Sequence, residues 1–113
     1  MSGQIDDFIA MNKKGLVLEL CEKYYAENVL MLSNGEVFAQ SMREAYDKQK
    51  GYVDSVQSFD VSLVSKKLEN NVSELVFHYK MTTKEGKSME YTGKHVQTWE
   101  NEKIIKEEYS NVE

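Results

Sequence analysis

The most regular pattern in the chain lies in its second half. Leu75, Phe77, Tyr79 and Met81 alternate with Glu74, Val76, His78 and Lys80. The stretch 89–99 behaves alike, with Met89, Tyr91, Gly93, His95, Gln97 and Trp99 on one side. A period of two marks half-buried strands. Phe59, Val61 and Leu63 alternate in "SFDVSLVSKKL", and a last strand follows the turn "ENE". The first half carries a helical period instead. Ile5, Phe8 and Ile9 share one face of a short helix over 4–12, and Gly15 interrupts it. Val17, Leu20, Cys21 and Tyr24 then follow the i, i+3, i+4, i+7 spacing of an amphipathic helix over 15–26. Asn34-Gly35, between strands over 27–33 and 36–40, predicts a type I′ hairpin, whose two central residues need positive φ. Ser41 and Glu44 form a capping box that opens a helix from 42 to about 54. Met42, Ala45, Tyr46, Gln49 and Val53 lie along one side of that helix, and "DKQK" reads as its solvated face. The order α-α-β-β-α-β-β-β-β predicts one α+β domain over 1–113: a curved antiparallel sheet of about six strands, with three helices on one face.

Hairpin register decides which side chains meet across the sheet. A three-residue loop "KEG" puts Gly86 at the left-handed position that such loops prefer. Met81 then opposes Met89, Tyr79 opposes Tyr91, Leu75 opposes His95, and Lys80 opposes Glu90 on the other face. A three-residue loop "ENE" in the last hairpin puts Gln97 opposite Ile105, His95 opposite Glu107, Gly93 opposite Tyr109 and Lys94 opposite Glu108. That register joins Ile105 and Tyr109 to the Tyr91/Trp99 face, although Glu102 then occupies a position that favours glycine. Opposed residues have Cβ atoms about 4.5–5.5 Å apart, so a His95–Glu107 hydrogen bond is within reach. Two readings of the pair stand open. In one, Glu107 orients His95 as a general acid/base in an aromatic-lined cavity, and tyrosine hydroxyls hold a substrate oxygen. In the other, the two are a satisfied polar pair at the edge of a core. His78 falls on the outer face, toward solvent or a partner subunit.

Composition narrows the class. Asp and Glu outnumber Lys and Arg by 19 to 14, giving a net charge of -5. The short clusters "NKK" and "SKK" cannot track a phosphate backbone, so no nucleic-acid partner is expected. The lone cysteine, Cys21, sits on the apolar stripe of its helix and reads as a core residue. No Cys/His cluster points to a metal, and no cofactor is expected. The N-terminus "MSGQIDDF" lacks a signal-peptide pattern and no apolar run is long enough for a membrane span, so no membrane association and a cytoplasmic location are expected.

The element order, with "YYAENVLML" (Tyr24 to Leu32) and "ENEKIIKEEYS" (Glu100 to Ser110), resembles the SnoaL-like branch of the nuclear-transport-factor-2-like superfamily over roughly residues 5–110. In that branch a helix ends in an aromatic residue, an alanine and acidic residues before entering the first strand, and a hairpin of the type "DGKIV" closes the sheet. Here "NEKII" stands in its place, without the turn glycine. The resemblance implies a cone: a strongly bent sheet wrapped round three helices, with a deep pocket between them. It also implies a homodimer through the outer face of the sheet. Members include polyketide cyclases, ketosteroid isomerases and dehydratases, and many bind ligands or proteins without chemistry. The isomerases use an Asp base, with a Tyr and a protonated Asp as oxyanion donors. The position of that base matches Ser33, which cannot do its work, and the protonated aspartate matches His95, four residues before Trp99. The resemblance thus implies a pocket for a small, largely apolar molecule with cofactor-free isomerase, cyclase or dehydratase chemistry, or else a non-catalytic ligand-binding or protein-interaction dimer module of the same fold. His95 is the expected acid/base and Glu107 its orienter. Tyr91 or Tyr109 would donate to the substrate oxygen, and Tyr79, Met81, Gln97, Trp99 and Ser33 complete the expected lining.

Overall fold

Among residues 2–112, which the computed structural model of the chain describes, three helices and six strands follow in the expected order. They are α1 (Ser2–Lys13), α2 (Val17–Tyr24), β1 (Tyr25–Ser33), β2 (Glu36–Ala39), α3 (Met42–Ser55), β3 (Val56–Glu69), β4 (Val72–Thr83), β5 (Ser88–Glu100) and β6 (Lys103–Val112). Met1 and Glu113, the ends of the expected 1–113 domain, lie outside the described residues. Helix α1 stops where Gly15 takes φ +76°, a left-handed conformation that costs glycine little. The same residue lies against the Phe59 ring, leaving no room for a side chain. Helix α3 opens as expected: the Glu44 amide donates to the Ser41 hydroxyl at 3.0 Å. The Glu44 carboxylate reaches back one residue further than the usual capping box, to the Gln40 amide at 2.7 Å.

The strands form a single sheet in the order β2-β1-β6-β5-β4-β3. It is mixed, not wholly antiparallel as expected: β1 and β6 run parallel, Met31 beside Glu107 and Ser33 beside Tyr109. A parallel pair needs a long crossover between its strands, and everything from β2 to β5 supplies it. Local periodicity carries no trace of such a pairing. The helices pack on the sheet, α1 against β3, α3 against β1 and β2, and α2 against β1 and β6. The core between them holds Ile5, Phe8, Leu20, Leu75, Phe77, Trp99 and Ile104.

The β4–β5 hairpin has the expected register, with Tyr79 opposite Tyr91 and Leu75 opposite His95, and Gly86 at φ +85°. The β5–β6 hairpin does not. Its turn has two residues, Asn101 and Glu102, both left-handed at φ 52° and 65°. Glu100 pairs with Lys103 and Trp99 with Ile104. A bulge then skips Ile105, so that Thr98 pairs with Lys106, Gln97 with Glu107 and His95 with Tyr109. The extra residue restores the inward facing of Glu107 and Tyr109 that a plain two-residue hairpin would lose. The two-residue turn, by pairing Ile104 with Trp99, puts Ile104 and not Ile105 in the core.

Candidate functional site

Strands β4, β5 and β6 bring a line of polar groups to the inner face. The His95 Nε2 lies 2.7 Å from the Tyr79 hydroxyl, and that hydroxyl accepts a hydrogen bond from Asn12 Nδ2 at 3.0 Å. The other imidazole nitrogen, Nδ1, is buried without a hydrogen-bond partner at ordinary distance. It faces Glu107 Oε1 at 3.6 Å. With Asn12 occupying a lone pair of the Tyr79 oxygen, the Tyr79 proton is free to point at Nε2. Neutral His95 then carries its own proton on Nδ1, toward the carboxylate.

Glu107 is held by two further residues. The Tyr25 hydroxyl lies 3.0 Å from each carboxylate oxygen. Gln97 Nε2 donates to Oε2 at 2.7 Å. Gln97 is fixed in turn by Ser73, whose hydroxyl donates to Gln97 Oε1 at 2.9 Å and accepts from the Trp99 indole at 2.9 Å. Burial pushes the Glu107 carboxyl up. The facing His95 and the hydrogen bonds from Gln97 and Tyr25 outweigh burial and hold it below the ordinary carboxylate value. A buried anion is stable only with such partners.

His95, Glu107 and Tyr79 line a cavity of about 370 Å3, within the usual size of small-molecule sites. Met81, Tyr91, Tyr109 and Ser33 also line it. Tyr91 stacks on Tyr79 with ring centroids 5.1 Å apart. Tyr109 meets His95 edge-on at 5.0 Å. Gln97 and Trp99, expected in the lining, do not reach it. They are 0% and 1% exposed and serve behind the wall, because the β5–β6 bulge turns Gln97 onto Glu107 and the Trp99 indole reaches back to Ser73. Burial raises the Tyr79 and Tyr52 hydroxyls well above their ordinary range and pushes Tyr109 up to about 12, so all three remain donors at neutral pH.

Several site residues escaped the sequence reading. Asn12 was legible in principle: it falls on the Ile5–Phe8–Ile9 stripe of α1, where a polar side chain needs a reason. Tyr25 lies at the helix–strand junction, outside either period. Tyr52 and Lys48 of α3 line the cavity beside Gln49; Gln49 lies on the helix side that carries Met42 and Ala45, whereas Lys48 falls in "DKQK", which reads as a solvated face. Tyr52 rests its hydroxyl on the Met81 sulfur and on the Tyr91 hydroxyl at 3.2 Å. Among the described residues, no group of three or more His, Cys, Asp and Glu could hold a metal ion. No helix of the described residues is long and apolar enough to cross a membrane.

No protein-family model matches the sequence, and no curated protein matches it. Solved structures do. A candidate SnoaL-like polyketide cyclase from Mesorhizobium loti superposes with a TM-score of 0.79 at 20% identity, covering 96% of each chain. A nuclear-transport-factor-2-like protein of unknown function from Exiguobacterium gives 0.78 at 8% identity, over 97% of this chain and 98% of that one. A Catenulispora acidiphila protein with a ketosteroid-isomerase-like fold, solved with trimethylamine, gives 0.75 at 8% identity, over 94% and 82%. At these identities the likeness establishes the fold, the one that the sequence resemblance implied.

Proposed function

We propose that the cavity binds a small, largely apolar molecule carrying a carbonyl or hydroxyl oxygen, and that Tyr79, His95 and Glu107 move a proton for it without a cofactor. The observation that carries this reading is the 2.7 Å contact between Tyr79 and His95 Nε2 at the cavity wall, with Glu107 behind Nδ1. In the expected arrangement His95 itself met the substrate. Because Tyr79 already occupies Nε2, we take Tyr79 as the group that meets the substrate. As the Tyr79 oxygen takes a proton from a carbon beside the ligand carbonyl, the Tyr79 hydrogen passes to Nε2. The imidazolium forms against the Glu107 charge, where it is stabilised. The developing enolate oxygen is held by the hydroxyl of Tyr91 or Tyr109. Returning the proton at another carbon gives an isomerisation; delivering it instead to a hydroxyl on the neighbouring carbon, whose C–O bond breaks as the double bond forms, releases water and gives a dehydration.

The fold is compatible with ligand binding alone, and one observation favours that second reading. Ser33 stands at the end of β1, lining the cavity, where the resemblance places the isomerase carboxylate. The two readings part in one experiment: deuterium uptake beside the carbonyl of small apolar ketones in D2O, followed by proton NMR. Acid/base chemistry predicts uptake that falls about 10²–10⁴-fold in Tyr79→Phe and His95→Gln. Ligand-induced shifts without uptake leave binding only, and no shifts at all reject both. The outer face, with Val76 and Val96 half-buried among the pairs Glu74–Lys94 and His78–Glu90, remains the proposed homodimer surface, which light scattering checks.

A further inference from the structure

We propose that the ligand is an acid: an apolar body with a carboxylate at one end, seated at Lys48, and a neutral oxygen at the other, beside Tyr79. This rests on the reading that the cavity takes a small apolar molecule, and adds which class. Among the described residues lining the cavity, Lys48 is the only lysine or arginine. Its side chain is 49% exposed, against 3% for that of Glu107, so the cation marks the solvent end and the carboxylate the deep end. An ammonium carries three donors. One goes to the Phe38 carbonyl. The nearby Glu44 takes no second one: its Oε2 is 3.9 Å away, beyond hydrogen-bond range, and its Oε1 is committed to the Gln40 amide. The ammonium lies over the Phe38 side chain, with Nζ 5.3 Å from the ring centroid, so it keeps donors beside an apolar group that also lines the cavity.

The two ends of the cavity then sort a ligand by charge. Glu107 is buried and held ionised, and it repels a second anion strongly there. A carboxylate entering the cavity is therefore driven to the Lys48 end. Its far end meets the tyrosine hydroxyls and the His95–Tyr79 pair, which suit a neutral acceptor.

The test uses octanoate and octan-1-ol as probes, titrated into the labelled chain and followed at the Gln49 and Tyr52 amides. Octanoate should bind about three- to tenfold more tightly than octan-1-ol, the range for a partly exposed charge-assisted contact. Lys48→Gln should abolish that preference and leave octan-1-ol unchanged, and Lys48→Arg should keep it. Lys50→Gln, a substitution on the same helix whose lysine pairs with Asp54, should change nothing. Equal binding of both probes to the unmodified chain overturns the acid assignment and leaves the apolar-ligand reading standing. So does an octanoate preference that Lys48→Gln and Lys50→Gln reduce alike. Binding of neither probe overturns the assignment together with the reading beneath it.

Discussion

The Tyr25 hydroxyl bridges both oxygens of Glu107, 3.0 Å from each, across the parallel β1–β6 pair. The two residues are 82 positions apart, and both are buried. Removing the hydroxyl strands a buried charge with one donor fewer. Tyr25→Phe should cost about 1–3 kcal/mol of stability, read as a lower urea midpoint with an unchanged slope. A loss within error of zero would mean that Gln97 and His95 satisfy the carboxylate alone.

The same carboxylate links stability to acid pH. Glu107 sits below its ordinary value of 4.5 in the folded chain. Between the folded and unfolded values the unfolded chain therefore binds more protons, and stability rises with pH. The contribution is fully present above about pH 4.5 and is lost as pH falls through the lower folded value. Urea unfolding of the unmodified chain and Glu107→Gln from pH 6 to pH 3 should show their stability difference shrinking below that point. A difference that stays constant across the range would contradict the assignment.

Gly93 makes room for Tyr109. A Cβ built on Gly93 would lie 2.5–2.8 Å from the Tyr109 ring and hydroxyl oxygen, closer than real contacts allow. The backbone there is ordinary strand, so the demand is steric and comes from the ring folded over β5. Gly93→Ala should cost about 1–3 kcal/mol, as overpacking does, and should displace Tyr109 from the cavity wall. In Gly93→Ala/Tyr109→Ala the penalty should largely vanish. The double-mutant cycle gives the coupling directly, and additive effects would show that the ring yields freely.

Much of this site was legible as alternation, and what was missed shares a cause. The β4–β5 register followed from Gly86 and from matching Tyr79 with Tyr91 and Lys80 with Glu90, because each partner was local in sequence. Glu107 was placed inward correctly but opposite the wrong residue, since a two-residue turn plus a bulge at Ile105 preserves facing while shifting the pairing by two. Facing is written in the hydrophobic pattern; a bulge is not. Tyr25 and Asn12 reach the site only through the β1–β6 pairing and the seat of α1, which are long-range outcomes of packing. Lys48 looked solvated because Asp47 and Lys50 in "DKQK" are exposed, and only the cavity beside α3 gives it another surface.

The turn that misled the register makes the last prediction. Asn101 and Glu102 take φ 52° and 65°, the left-handed pair of a type I′ turn. Asparagine tolerates that region, but a glutamate pays about 1–2 kcal/mol for its Cβ. Glu102→Gly removes the clash, and its more flexible unfolded chain returns part of the gain. A net stabilisation of about 0.5–1 kcal/mol should result, seen as a higher urea midpoint with the Trp99–Ile104 pairing intact by NMR. Asn34-Gly35 supplies the control within the same chain. It has the same left-handed pair at φ 51° and 85°, already with glycine second, so Gly35→Glu there should lose about what Glu102→Gly gains. Equal stability in both substitutions would mean that the Glu102 conformation costs nothing in its setting.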